Sequence, residues 1–332
     1  MGIIPNLHVK GSATMIRWLI VAVAVGLLGA PALAGPRVLV VSKQGHSLQS
    51  FDAVSYAKQF DVVVSGEPHV VVTSRDGKFA YVADFVGFAN VLSVIDLDQK
   101  RIASTISFKP SMKAHGMAVT RDGTRLFATC EASRAVAEVD LPAGKVTRRF
   151  KLNFDNCHLL ALSPDETTLF VTSAFDGNVS MLDAATGAMR YAVKTGKGAE
   201  GVDVSPDGRE VWVVNRTYQN ISVVDVKTHR NVQDVLCEGG PLRVEFSPDG
   251  KTAAVTCSIS GDLVFIDTAT RKETARIPAG IFPSEVVYST DGARCFVTDS
   301  KTGEVIVVDT AARKVVHRFP VGPDPEGIAF VP

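Results

Sequence analysis

An all-β fold, a seven-bladed β-propeller with four antiparallel strands per blade, is predicted by three observations. An aspartate that closes a β-rich run recurs at Asp52, Asp96, Asp140, Asp183, Asp225, Asp267 and Asp309, at spacings of 44, 44, 43, 42, 42 and 42 residues. A second series, Asp76, Asp122, Asp165, Asp207, Asp249 and Asp291, marks a tight turn earlier in each copy and is usually followed by glycine. Between these marks every copy holds four runs of strand length, as GVDVS, EVWVV, NISVVDV and NVQDVL show between Glu200 and Gly240, and no window of helical period fits among them. Four strands repeated at a fixed period of this length are the pattern of propeller blades.

Taken in order, the first fourteen residues carry no interpretable pattern. From Met15 the chain reads as a secretory leader: Arg17, the apolar run Trp18 to Leu28, and the small-residue stretch Ala30-Pro-Ala-Leu-Ala34 before Gly35. Met15 is therefore the expected start and Ala34/Gly35 the expected cut. The apolar run is short for an uncleaved anchor, and no cysteine follows the cut to take a lipid. The mature protein, residues 35–332, is expected to be a single periplasmic or secreted propeller domain and a monomer. Removing Lys10 and Arg17 with the leader turns a net charge of zero into −2. With no polybasic run, nothing points to nucleic acid or to an anionic membrane surface.

The first blade begins at Pro36-Arg37-Val38 with its second strand, so its innermost strand is missing. The surplus C-terminal run PEGIAFVP, residues 325–332, matches an innermost strand and is expected to fill that place, closing the ring without a free edge. The aspartates of both series read as turn builders, because proline presets φ, the carboxylate bonds nearby amides and glycine accepts positive φ. Gly196-Lys-Gly198-Ala-Glu-Gly201 has the GxGxxG spacing but precedes a strand, which excludes a dinucleotide site on context. CxxCH, HExxH, GxSxG and P-loop motifs are absent from the sequence.

Units such as PSEVVYSTDGARCFVTDSKTGEVIVVDTAARKVVHRFPVG (residues 283–322) resemble the YVTN-type repeat of exported bacterial seven-bladed propellers, and more distantly propellers that bind haem d1. The resemblance spans the mature chain and implies the fold. It implies little about function, since such propellers serve unrelated roles.

Function is sought by position. Seven residues before each first-hairpin aspartate lies the start of an innermost strand: His69, His115, His158, Glu200, Leu242, Ser284 and, by extension, Glu326. Three of the six mature histidines fall on these seven positions, on three consecutive blades. Strand-two ends reach the same face at Asp84, Cys130, Ser173, Asn215, Cys257 and Asp299, with Ser42 in blade one. The length variation, two residues between Asp84 and Asp96, two before His115 and one before His158, lies on that face as well, where binding loops concentrate. Phe85 and Phe88 in the first insertion either cover a ligand or partner or form a local latch.

Three readings of the histidines stay open. In one, His69, His115 and His158, with Glu200, bind zinc, copper or iron. In another they serve an organic ligand or a tetrapyrrole, as the haem d1 likeness implies, with one as axial ligand. In the third the mouth is a polar, water-filled funnel. The leading expectation is a non-enzymatic exported binding protein that holds a metal or cofactor, or docks a partner protein. The alternative is a metal-dependent lyase or hydrolase in which Glu200 or Glu326 moves a proton. Cys130 and Cys157, on neighbouring blades near the same mouth, are candidates for a disulfide or for a soft copper site with His158, while Cys295 reads as core.

Overall fold

A computed structural model of the chain describes residues 1–2, 35–86, 90–110 and 113–332, without the side chains of Phe85 and Val86. The leader expected over residues 15–34 lies outside the described residues, and so do Phe88 and the Phe85 side chain. Residues 35–332 form one compact unit. No helix among the described residues is long and apolar enough to cross a membrane.

The described residues form 28 strands in seven four-stranded antiparallel sheets. Turn chemistry sets the blades apart. In blades two to seven a Ser or Thr hydroxyl (Ser74, Thr120, Ser163, Ser205, Ser247, Ser289) donates to the aspartate two residues on at 2.6–2.7 Å. The same hydroxyl accepts the backbone N–H five residues on at 2.9–3.0 Å. These bonds hold the aspartates below the usual carboxylate range. The third-strand aspartates accept backbone N–H groups two or three residues on, Ser55 N–H to Asp52 at 2.7 Å and Thr270 N–H to Asp267 at 2.7 Å among them. Both series are turn builders.

Ring closure follows the sequence reading. The C-terminal strand β28 (Pro325–Val331) pairs antiparallel with β1 (Arg37–Ser42), Val38 facing Phe330 and Val40 facing Ile328. The first sheet thus runs β28-β1-β2-β3, with β2 at Ser47–Asp52 and β3 at Lys58–Val63. The apolar cores lie between blades: Trp212, Val214 and Ile221 of blade five pack with Val244, Val255 and Ile266 of blade six in one cluster. A blade's sheet faces are covered by its neighbours, so the ring is the folding unit.

Two devices hold the innermost strands close. Gly116, Gly201 and Gly327 occupy equivalent positions, and a Cβ at each would come within 2.6–2.8 Å of the adjacent innermost strand's backbone. A threonine one residue before the end of strand two ties neighbouring blades together. Thr129 Oγ1 accepts Gly116 N–H at 2.9 Å and donates to the His158 carbonyl at 2.6 Å. Thr172 and Thr298 donate likewise to the carbonyls of Glu200 and Glu326, at 3.0 and 2.8 Å.

Candidate metal centre

The threonine ties fix the backbone of three residues that start innermost strands, His158, Glu200 and Glu326. His69 lies on β4 (Glu67–Thr73), His115 on β8 (Ala114–Val119) and His158 on β12 (Cys157–Leu162), each at or near the strand's start. The three rings are in contact, and Gly116 lets the His115 and His158 strands approach closely. His69 stacks on His115 with centroids 4.4 Å apart and planes 9° from parallel, and His158 meets His115 edge-on at 4.3 Å.

A carboxylate that the sequence reading missed organises the cluster. Glu131 Oε1 accepts Nδ1 of His115 at 2.8 Å and Nδ1 of His158 at 2.9 Å. With its proton on Nε2 instead, each imidazole turns a lone pair on Nδ1 toward the Glu131 oxygen, so an ion entering there would meet two ring nitrogens and one carboxylate oxygen. The Nε2 of His158 is buried without a hydrogen-bond partner among the described residues. Glu131 opens a 3-10 turn (Glu131–Ser133) that directly follows β9 (Arg125–Cys130), and its N–H donates to the Lys113 carbonyl at 3.1 Å, in the segment inserted before His115. One ligand atom each from His115, Glu131 and His158 fall within 4.8 Å of one another.

Burial shapes the electrostatics. His115 is 1 % exposed, and the pKa values of His115 and His69 lie well below the ordinary imidazole value, first through burial and then through the neighbouring cationic groups, Arg243 and Lys43 among them. Neutral imidazoles are the form that binds metal ions. His69 Nδ1 lies 3.6 Å from Glu326 Oε2, and burial lifts the Glu326 carboxyl to about 7 against the opposing pull of Arg243 and Lys43. Glu200, on β16 (Ala199–Val204), stands apart from the His115–Glu131–His158 group and pairs with Arg216 at 3.8 Å.

The strand-two ends lie beneath the mouth instead of on its rim: Asp84, Cys130, Asn215, Cys257 and Asp299 are buried, as is Cys157. Their polar groups knit loops. Asp299 accepts the N–H groups of Ile281, Phe282, Lys301 and Thr302 at 2.6–3.2 Å, and Asn215 Nδ2 donates to Asn220 and Ser222, both at 2.9 Å. Asp84 packs against Gly66, where φ is +67° and a Cβ would collide with the carboxylate, and burial pushes its pKa up to about 6. Cys130 and Cys157 are not bonded to each other. Their sulfurs turn to the carbonyls of Ala128 and Ala135 at 3.8 and 3.7 Å, and burial pushes the Cys157 thiol up to about 11. Each thiol is thus directed to a backbone acceptor, which disfavours the disulfide alternative for this pair. Cys295 is fully buried core, as its apolar run suggested.

Below the histidines the axis opens into a cavity of about 630 Å³ with unlike walls. The histidine blades line it with Val70, Val72, Ala118 and Leu159 and with Arg75, Arg121 and Glu166, and the opposite side with Asp203, Arg243, Glu245 and Glu285. Arg243 Nε donates to Glu285 at 3.1 Å. Asp203 accepts Phe246 N–H at 2.8 Å and is lifted to about 7 by burial.

Residues 187–288 match the YNCE-like beta-propeller family. That stretch is similar to YNCE-like propellers. The YVTN-type resemblance read from the repeats is supported by this match and by solved propellers of the same shape. Hydrazine synthase of Kuenenia stuttgartiensis superposes with a TM-score of 0.72 at 20% identity, over 81% of this chain and 91% of that one. A protein of unknown function from Desulfotomaculum acetoxidans DSM 771 superposes with a TM-score of 0.76 at 13% identity, over 89% and 98% of the two chains. At such identities the likeness concerns the fold. No curated protein matched the sequence significantly.

Proposed function

We propose that this propeller is an exported binding protein that holds one divalent transition-metal ion, of the zinc class, between His115, His158 and Glu131, with His69 and Glu326 beside them. The observation that carries the reading is the sharing of one Glu131 oxygen by two imidazoles from adjacent blades, at 2.8 and 2.9 Å. Two imidazole nitrogens and a carboxylate oxygen are a donor set suited to zinc, with a fourth position left for water or a ligand. Depressed imidazole basicity supports it, since burial keeps His115 and the neighbouring His69 unprotonated at neutral pH. Ring-to-ring packing on both sides of His115 favours an ion over a tetrapyrrole, which needs an open face at its axial ligand. A holding role is favoured over catalysis because Glu131, Glu326 and Glu200 each have a cationic or imidazole partner. Export rests on the leader pattern of residues 15–34.

Docking on the same face is a second reading. Phe175, Tyr218, Ile259 and Ile281 are 55–75% exposed there, in the loops of blades four to seven, and would suit a partner that receives the ion.

Calorimetric titration of the purified chain with zinc should show one tight site. Glu131→Gln and His158→Ala should each weaken it at least about tenfold, while His229→Ala, whose ring stacks on Tyr191 away from the cluster, should leave it unchanged. Absence of binding in the parent chain, or affinities untouched by the first two substitutions, would refute the proposal.

A further inference from the structure

Cys237 and Cys257 meet on the seam between blades five and six. Cys237 directly follows β19 (Arg230–Leu236), the outer strand of blade five, and its N–H donates to the Gln219 carbonyl at 2.9 Å. Cys257 ends β21 (Thr252–Cys257), the second strand of blade six. Both side chains are buried, and their sulfurs stand 3.7 Å apart. That is hydrogen-bonding distance for two thiols. Bonding needs only a modest further approach, to the sulfur–sulfur distance of about 2.05 Å.

We propose that Cys237 and Cys257 are a disulfide-forming pair, a covalent latch between blades five and six that closes under oxidising conditions. The surroundings suit the chemistry. A hydrogen bond from Cys237 and the nearby Arg276 guanidinium both favour the Cys257 thiolate, making it the attacking sulfur. The oxidant is a disulfide of the glutathione class. The Cys257 thiolate attacks one of its sulfurs, the S–S bond breaks, and one glutathione thiolate leaves. The Cys237 thiol then loses its proton and attacks the Cys257 sulfur of the mixed disulfide, releasing the second glutathione. Two cysteine thiols are oxidised to one cystine while one glutathione disulfide is reduced to two thiols. Because both cysteines are buried, the exchange belongs to late folding, once the seam has brought Cys237 and Arg276 beside Cys257 and before it is sealed.

The choice of pair is specific. Cys130 and Cys157 direct their sulfurs to backbone carbonyls, and Cys295 is fully buried in another seam. The bond would close a short loop spanning the innermost strand β20 (Pro241–Phe246), which carries Arg243 and Glu245 on the cavity wall. The latch therefore ties down the blade that faces the histidines across the axis.

The test is to unfold the full chain, refold it in a glutathione redox buffer, and examine it by intact mass, thiol titration and non-reducing peptide mapping. The expected result is a mass lower by two hydrogens, three titratable thiols of the five and a single crosslinked peptide joining Cys237 to Cys257. Tm should exceed that of the reduced protein by about 5 °C. Cys237→Ala should abolish both the crosslink and the Tm difference. Five titratable thiols after oxidative refolding, or a bridge between any other two cysteines, would overturn the proposal, and neither outcome depends on whether the histidine cluster binds metal.

Discussion

Two carboxylates on the same face do opposite things, and their partners decide which. Glu131 gathers side chains, accepting from two imidazoles, whereas Asp299 gathers backbone, accepting four N–H groups from two loops while fully buried. Removing the Asp299 acceptor orphans buried donors, each costly. Asp299→Ala should therefore lower stability by about 3 kcal/mol in urea unfolding, with zinc affinity unchanged because the residue touches none of the histidines. An unaltered midpoint would show that water replaces the carboxylate. The histidines were legible in the sequence because the distance to the first-hairpin aspartate never varies, so position in the primary structure maps onto depth along the axis. Glu131 was not legible. It lies one residue past the strand-two end, in a loop turn whose direction no period dictates. Moving the search one step beyond Cys130 would have reached it, but only the fold shows that the turn brings its carboxylate back over His115 and His158. Asp84 and Asp299 looked like rim residues by the same offset; both are buried, Asp299 stapling two loops and Asp84 packed against Gly66.

At the level of the strand, the closing element is the most exposed to test. β28 contributes buried Ile328 and Val331 and the whole hydrogen-bonded edge of β1. It also brings Glu326 to His69 and lays Gly327 against the innermost strand of blade two. Without it, blade one keeps three strands and an unpaired inner edge. Deleting residues 325–332 should lower Tm by about 10 °C or more and promote association through the bare edge. A truncated chain that melts like the parent would show that the ring does not depend on this closure. Blade boundaries and ring closure could be read from the sequence because each turn carries its own chemistry, Ser-Pro-Asp-Gly or an aspartate followed by Thr or Ala. The threonine ties between blades escaped notice, since a single Thr in a strand looks like ordinary β propensity.

Across the whole molecule, the axis separates unlike groups: imidazoles crowd blades two to four, and carboxylates with Arg243 line blades five to seven. Burial, reinforced by the Asp203 and Glu285 charges, raises the Glu245 pKa well above its ordinary value, and Asp203 is raised to about 7. Groups with raised pKa keep protons in the native state that the unfolded chain has already lost. Between the ordinary carboxylate range and about pH 7 the native state thus binds more protons, and stability falls as pH rises through that window. Glu245→Gln removes one of these charges, so it should raise Tm by about 3 °C at pH 8, with the gain shrinking toward pH 4. A gain equal at both pH values would mean that packing, and not charge, accounts for it. None of this wall was visible in the sequence, because Asp203, Glu245 and Glu285 lie at two different offsets along their strands and only the closed ring sets them around one cavity.

The central claim, that His115, His158 and Glu131 together hold an ion, is tested most directly by X-ray absorption at the zinc edge on the zinc-loaded chain. The account predicts a four-coordinate N/O shell at about 2.0–2.1 Å with the outer-shell scattering of two imidazoles, one of which is lost in His158→Ala. A shell of water oxygens alone, a sulfur ligand at about 2.3 Å, or imidazole scattering that survives His158→Ala unchanged would contradict it.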